Sequence, residues 1–303
     1  MSVDFQNDLL LLTCASGKQC AHLIPLVSQK FKRLRLQVNS QASLDRLREQ
    51  YPYAEVVQAD LGDPHAVSKL VSGATALYLV GPSLHPRETD VCKNVVDSAV
   101  QEFENGRGGF KHFLYSSVLN TQLSKLLNHD CKRYVEEYLM ESGLPYTIMQ
   151  PTHFMDTFPV ASLAQQESPV WPAPWDPKVQ FCFIALKDLA AASAIVLEQR
   201  EKHMYAQYPL VSAGPHSYED VIAITGKEMG KAIRIEKTSY EGAIASRVKM
   251  LFGTEDCDPG MKDIMERLIL YYERRGLLGN SNQLEWLLGR KPTSYAEWVR
   301  GNL

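Results

Sequence analysis

Residues 8–20 read DLLLLTCASGKQC, and this stretch decides the fold. Asp8 to Thr13 is a nearly continuous apolar run, as in a strand buried on both faces of a parallel sheet. The small polar residues after it make a tight turn, and Gly17 to Phe31 reads as a helix. A strand that runs through a small-residue turn into a helix opens a βαβ unit.

The same rhythm continues. Arg33 to Val38 (RLRLQV) alternates strictly, as a second strand does, and Ser43 to Gln50 is a short helix with Ser43 as its N-cap. Ala54 to Gln58 is a third strand. Pro64 to Val71 starts with proline, which suits a first helical turn. Ala74 to Val80 and Phe110 to Ser116 are strands four and five, with a long helix, Arg87 to Phe103, between them. A helix from His129 to Ser142, stopped by Gly143, leads to a sixth strand, Pro145 to Met149. Alternating units of this kind require right-handed crossovers and predict an α/β, doubly wound parallel Rossmann-type sheet.

After Gln150 the rhythm changes. Ser168 to Pro177 (SPVWPAPWDP) reads as loop. Strands are expected at 179–184, 209–212 and 233–237, and helices at 187–199, 217–229, 240–252, 262–276 and 295–299. Residues 1–150 are therefore expected to form the sheet domain, with 179–212 returning to it. Residues 151–178 and 213–303 are expected to build a smaller, mainly helical substrate lobe.

Composition excludes several classes. The chain has 303 residues, 45% apolar and 22% charged, with a formal net charge of -3. That balance offers no basic footprint for direct nucleic-acid binding. No signal peptide or membrane span is read, and the six cysteines lack Cys-x-x-Cys spacing. A cytoplasmic protein with reduced thiols and no metal site is expected, and a homodimer is compatible with the sequence.

Thr13-Cys14-Ala15-Ser16-Gly17-Lys18-Gln19-Cys20, FKHFLYSSV (110–118) and HDCKRYVEEYLMESGLPYTIMQPTHFMD (129–156) together resemble the NmrA-like family, the atypical short-chain dehydrogenase/reductases. The family's turn is T-G-A-[ST]-G-x-x-G, a variant of the dinucleotide fingerprint. Its glycines serve the tight turn, the approach to pyrophosphate and helix packing. Only Gly17 remains here; Cys14 and Cys20 replace the other two, which weakens the expected hold on NADP(H). The resemblance implies a cofactor path over Thr13, Ser16, Gly17, Lys18 and Gln19. It continues past Asp60 and Leu61 to Gly81, Pro82, Ser116, Lys132 and Pro151. Asn39 and Ser40, with no acid beside them, favour a 2'-phosphate over a free ribose.

No Tyr-x-x-x-Lys occurs. The resemblance instead points to Lys132, with Glu136 one turn later on the same helix face, where the two can pair. Tyr115, at the carboxyl end of the fifth strand, and His129 are the candidate proton movers. His153, Phe154, Trp171 and Trp175 are the expected substrate contacts, whereas Tyr271, Tyr272 and Trp286 read as core.

The leading expectation is an NADP(H)-dependent oxidoreductase, or a redox-using isomerase, of a small apolar metabolite. The chain looks like the branch of the family found in fungal secondary metabolism. The lost glycines and the missing tyrosine keep a cofactor-independent isomerase or cyclase open. A non-enzymatic NADP(H)-sensing regulator, acting through another protein, is the third reading.

Overall fold

A computed structural model describes residues 2–105, 109–253 and 256–303. The first half runs β1 (Leu9–Leu12), α1 (Lys18–Val27), β2 (Arg33–Val38), α2 (Gln41–Gln50), β3 (Glu55–Gln58), α3 (Pro64–Val71), β4 (Ala76–Val80), α4 (Glu88–Asn105), β5 (His112–Ser116), α5 (Leu127–Glu141) and β6 (Tyr146–Pro151). The second half runs β7 (His153–Phe154), α6 (Val160–Ala164), β8 (Val170–Ala173), β9 (Gln180–Ile184), α7 (Leu186–Glu198), β10 (Ala206–Leu210), β11 (Ala213–Ser217), α8 (Tyr218–Met229), β12 (Arg234–Lys237), α9 (Tyr240–Phe252), α10 (Pro259–Tyr272), α11 (Asn282–Leu288) and α12 (Tyr295–Arg300).

Seven strands form a parallel sheet in the order β10-β6-β5-β4-β1-β2-β3. The order reverses at β1, so a crevice opens at the carboxyl ends of β1 and β4, where open α/β sheets bind ligands. Both sheet faces are covered. Leu10 and Leu12 pack with α1 and α7 on one face; Leu11 packs with α3, α4 and α5 residues on the other. This explains why β1 is leucine throughout: both faces of the strand lie in apolar surroundings.

Several boundaries differ from the sequence reading. Ser40, not Ser43, caps α2; its side chain accepts from the Ser43 N–H, so Ser43 is the third helical residue. Of residues 179–212, β10 joins the main sheet, but β9 belongs to a three-stranded sheet in the order β11-β9-β7. The stretch 168–177 is not all loop: β8 pairs in parallel with β12. A four-residue strand ending in Pro-Ala carries too little periodicity to read alone. A separate apolar core unites Trp171, Trp175, Phe181, Tyr218 and Tyr272 with residues of α8, α9, α10 and α12. Among the described residues, no helix is long and apolar enough to cross a membrane.

Candidate active site

The turn after β1 keeps its shape without its first glycine. Cys14 sits at φ 47°, in the left-handed region. A side chain there costs on the order of 1 kcal/mol. Local bonds hold it: the Cys14 N–H donates to Gln37 Oε1 at 2.8 Å, and Gln37 Nε2 donates to the Ala59 carbonyl at 2.7 Å. The buried Gln37 amide thus ties the turn to β2 and the end of β3. Gly17 caps α1 without any side-chain bond, leaving first-turn N–H groups for an anion. A Cβ on Gly17 would lie 3.2 Å from the Cys14 carbonyl, so glycine keeps this crossing open.

Thr13 is braced beneath the turn. It is fully buried, and its hydroxyl donates to the Val80 carbonyl and accepts the Val80 N–H, each at 2.9 Å. Cys20 is also buried, with its thiol toward the Thr13 carbonyl, and both Cys14 and Cys20 are free thiols. Burial pushes the Cys14 thiol up to about 11, so it is not an activated nucleophile. Ser16 is half-buried and Lys18 exposed; the Lys18 ammonium donates to the Asp156 carbonyl at 3.2 Å. Asn39, Ser40 and Asp60 are exposed at the ends of β2 and β3, with Leu61 buried beside them. The exposed Arg46 of α2 reaches the Ser16 carbonyl at 3.3 Å. Sequence reading missed it, because nothing in a short amphipathic helix marks one arginine among several.

A cavity of about 230 Å³ lies over the carboxyl edge of the sheet. Gln19, Gly81, Ser116, Lys132 and Pro151 line its sheet side; His153, Phe154, Trp175 and Tyr272 line its lobe side. Ser116 donates to Gln19 Oε1 at 2.7 Å, joining β5 to α1 across the crevice. Pro82 is half-buried just outside the lining.

Lys132 is buried in this wall, but its partner is not Glu136. It pairs with Glu88, a buried acid in the first turn of α4. Gly81 makes that approach possible, since a Cβ there would come within 2.8 Å of Cys92 Sγ and 3.1 Å of Glu88 Oε1. Burial draws the Lys132 ammonium down to about 8, opposed by nearby Cys14 and Glu136. Glu136 turns inward instead, accepting from Ser117 Oγ at 2.5 Å, Thr121 Oγ1 at 3.0 Å and Gln150 Nε2 at 2.9 Å. Three donors satisfy this buried carboxylate better than one helix neighbour would. Glu88 was not legible in the sequence, because it lies a whole strand and helix away from Lys132.

Two expected proton movers are corrected. Tyr115 is fully buried, packed with Cys92, Val135 and Leu139, and its hydroxyl has no hydrogen-bond partner among the described residues. Alternation along β5 turns Tyr115 away from the side on which Ser116 meets Gln19. Burial holds its phenol well above 10. His129 does line the cavity, but burial lowers it to about 4, so it does not titrate near neutral pH.

The substrate candidates divide. His153 stands among the rings of Trp175, Phe181, Phe183, Tyr218 and Tyr272, and burial holds it neutral, down to about 3. Phe154 and Trp175 line the same cavity. Trp171 faces a second cavity, stacked on Tyr218 with centroids 4.7 Å apart. Tyr272, read as core, reaches the first cavity, and Trp286, also read as core, is 66% exposed.

The family model that matches is the NmrA-like family, over residues 6–293. The chain belongs to the NmrA-like family. Among curated proteins, quinone oxidoreductase 2 of Escherichia coli (strain K12) is 27% identical over 245 residues, covering 80% of this chain and 81% of that protein. The crystal structure of an NADPH-dependent quinone oxidoreductase from Escherichia coli, complexed with NADPH, superposes with a TM-score of 0.76 at 22% identity, covering 97% of this chain and 99% of that one. Triphenylmethane reductase of Citrobacter sp., complexed with NADP(H), gives 0.77 at 20% identity, covering 97% and 100%. The negative transcriptional regulator NmrA gives 0.77 at 17% identity, covering 97% and 95%. Proteins of this fold thus include both reductases and a regulator.

Proposed function

We propose that this chain is an NADP(H)-dependent oxidoreductase that reduces a small, planar, apolar carbonyl compound of quinone-like shape, such as secondary metabolism makes. In this reading the sheet unit holds the nucleotide and the lobe holds the acceptor. One observation carries it: a buried cation, Lys132, stands in the wall of an aromatic cavity at the sheet edge where a nucleotide laid across the strand ends would finish. The relatives that act on quinones and triphenylmethane dyes support the same choice.

The residues fit the dinucleotide. The left-handed Cys14, the uncapped start of α1 and Gly17 leave room and donors for pyrophosphate. Arg46, with Ser40 and Asn39, would take a 2'-phosphate, and Gly81, Ser116 and Pro151 would border the ring end. When bound, the group supplies a hydride. Lys132 places positive charge beside the acceptor's oxygen and gives it a proton, and water reprotonates the amine. Trp175, Phe154 and Tyr272 form an apolar wall for a flat substrate and exclude water. The retained shape of the turn weighs against a cofactor-free isomerase.

Calorimetry of the protein with NADPH and NADH, followed by NADPH oxidation with a simple naphthoquinone, tests this. NADPH should bind more tightly than NADH, with Arg46→Ala erasing the difference. Lys132→Met should lower kcat/KM by about a hundredfold. Absence of binding at millimolar nucleotide would overturn the reading. Tight binding without turnover of any quinone would favour a regulator.

A further inference from the structure

The two cavities meet at Arg247 of α9, which lines both together with Thr157 and Met250. Its guanidinium lies over the Trp175 ring, 5.0 Å from the centroid. Trp175 in turn packs edge-on against Tyr272, with centroids 5.2 Å apart. Among the described residues, Arg247 has no hydrogen bond or ion pair, and no Asp or Glu lines either cavity. The neighbouring Trp175 Nε1 is likewise buried without a hydrogen-bond partner.

A half-buried guanidinium has five N–H donors to satisfy, and a ring face satisfies none of them fully. Stacking on tryptophan returns about 0.5–2 kcal/mol. Burial disfavours the charge, and a bidentate anion would relieve that cost. An arginine serving only the fold would be expected to find a carboxylate, as Arg200 finds Asp8 at 2.6 Å. The cavity therefore presents two cations, Lys132 from the sheet unit, which pairs with Glu88 behind the cavity wall, and Arg247 from the lobe, which has no acid partner among the described residues.

We propose that Arg247 is a specificity residue that selects planar aromatic substrates bearing a carboxylate. The inference rests on reading this cavity as the substrate site, and it revises the apolar substrate of that reading to an apolar ring system that carries one carboxylate. The carboxylate pairs with Arg247 at the lobe end, the rings lie against Trp175, and the reducible carbonyl faces Lys132.

Calorimetry with 2-naphthoate and its neutral isostere 2-naphthamide tests the inference without nucleotide or turnover. The wild-type protein should prefer naphthoate by about tenfold or more at low ionic strength. Arg247→Gln should abolish that preference with naphthamide affinity kept; Arg247→Lys, which retains charge without the fork, should keep part of it. Thermal melts of both variants verify folding. Equal affinities in the wild type, a preference that survives Arg247→Gln, or binding of neither compound would each overturn the proposal. Quinone reduction with no preference for carboxylates would leave the reductase reading intact and remove this one. Naphthoate selectivity without reductase activity would do the reverse.

Discussion

Lys132 shows what a residue owes to its surroundings. Its place on the cavity wall was legible from the family-like helix, but its partner was not, because Glu88 reaches it only through the fold and past a glycine without a Cβ. The pairing has a consequence for pH dependence. Burial draws Lys132 down to about 8, so the ammonium is present below that pH and lost above it. Activity that needs the ammonium should be level below about pH 8 and fall above it. Glu88 is a positioning residue whose negative charge favours the protonated form. Glu88→Gln should therefore move the alkaline limb of kcat/KM to lower pH, as a pH profile would read. A limb that stays in place in this variant would mean that another group sets it. Tyr115 teaches the converse: a strand-end tyrosine looks catalytic in sequence, yet a one-residue step along β5 turns it into the core.

Element by element, the regular parts were the legible ones. β2 and α3 fall where alternation and the leading proline put them, and the sheet is parallel and doubly wound as right-handed crossovers require. The missed elements, β7, β8, β11, α6 and α11, have two to seven residues, too few to show a period. The nucleotide turn lies between these cases. Its two cysteines suggested a damaged loop, whereas the backbone is retained because Gln37 braces it from the next strand. Gln37 takes an ordinary polar position of the alternating RLRLQV run, so nothing in the sequence marked the brace. Gln37→Leu would leave the Cys14 N–H and the Ala59 carbonyl without these bonds. It should cost about 2–4 kcal/mol in urea unfolding. Nucleotide affinity should fall with it, and by more than in Ser28→Ala, a substitution at the C-cap of α1, the end opposite the turn. Unchanged nucleotide affinity in a destabilised Gln37→Leu protein would show that the brace serves the fold alone.

Across the described residues, burial holds three histidines far below the usual imidazole range in three different places: His112 in β5 of the main sheet, His129 at the cavity and His153 in the aromatic lobe; burial lowers His203 in the same sense. Burial is the largest cause in each of the three, lowering them to about 3, 4 and 3. His112 Nε2 lies 2.8 Å from Thr147 Oγ1, and because that hydroxyl donates to the His203 carbonyl, the ring must be the donor and cannot gain a second proton without leaving it unsatisfied. The sign follows from proton counts. Between pH 6.5 and the folded values, the unfolded chain binds more protons than the native one, so stability is full above 6.5 and declines as the pH falls. Each histidine contributes up to about 1.4 kcal/mol per pH unit in that window, about 4 kcal/mol for the three by pH 5.5. Glu136, raised by burial, acts in the opposite sense, but as one group against three. A total stability of about 5–15 kcal/mol makes such a loss large. Urea midpoints should therefore change little from pH 8 to 7 and drop steeply from 6.5 to 5.5. His112→Phe, which cannot take up a proton in either state, should flatten the slope by about a quarter to a third. A midpoint independent of pH across that range would mean that these rings are already charged, or solvated, in the native protein.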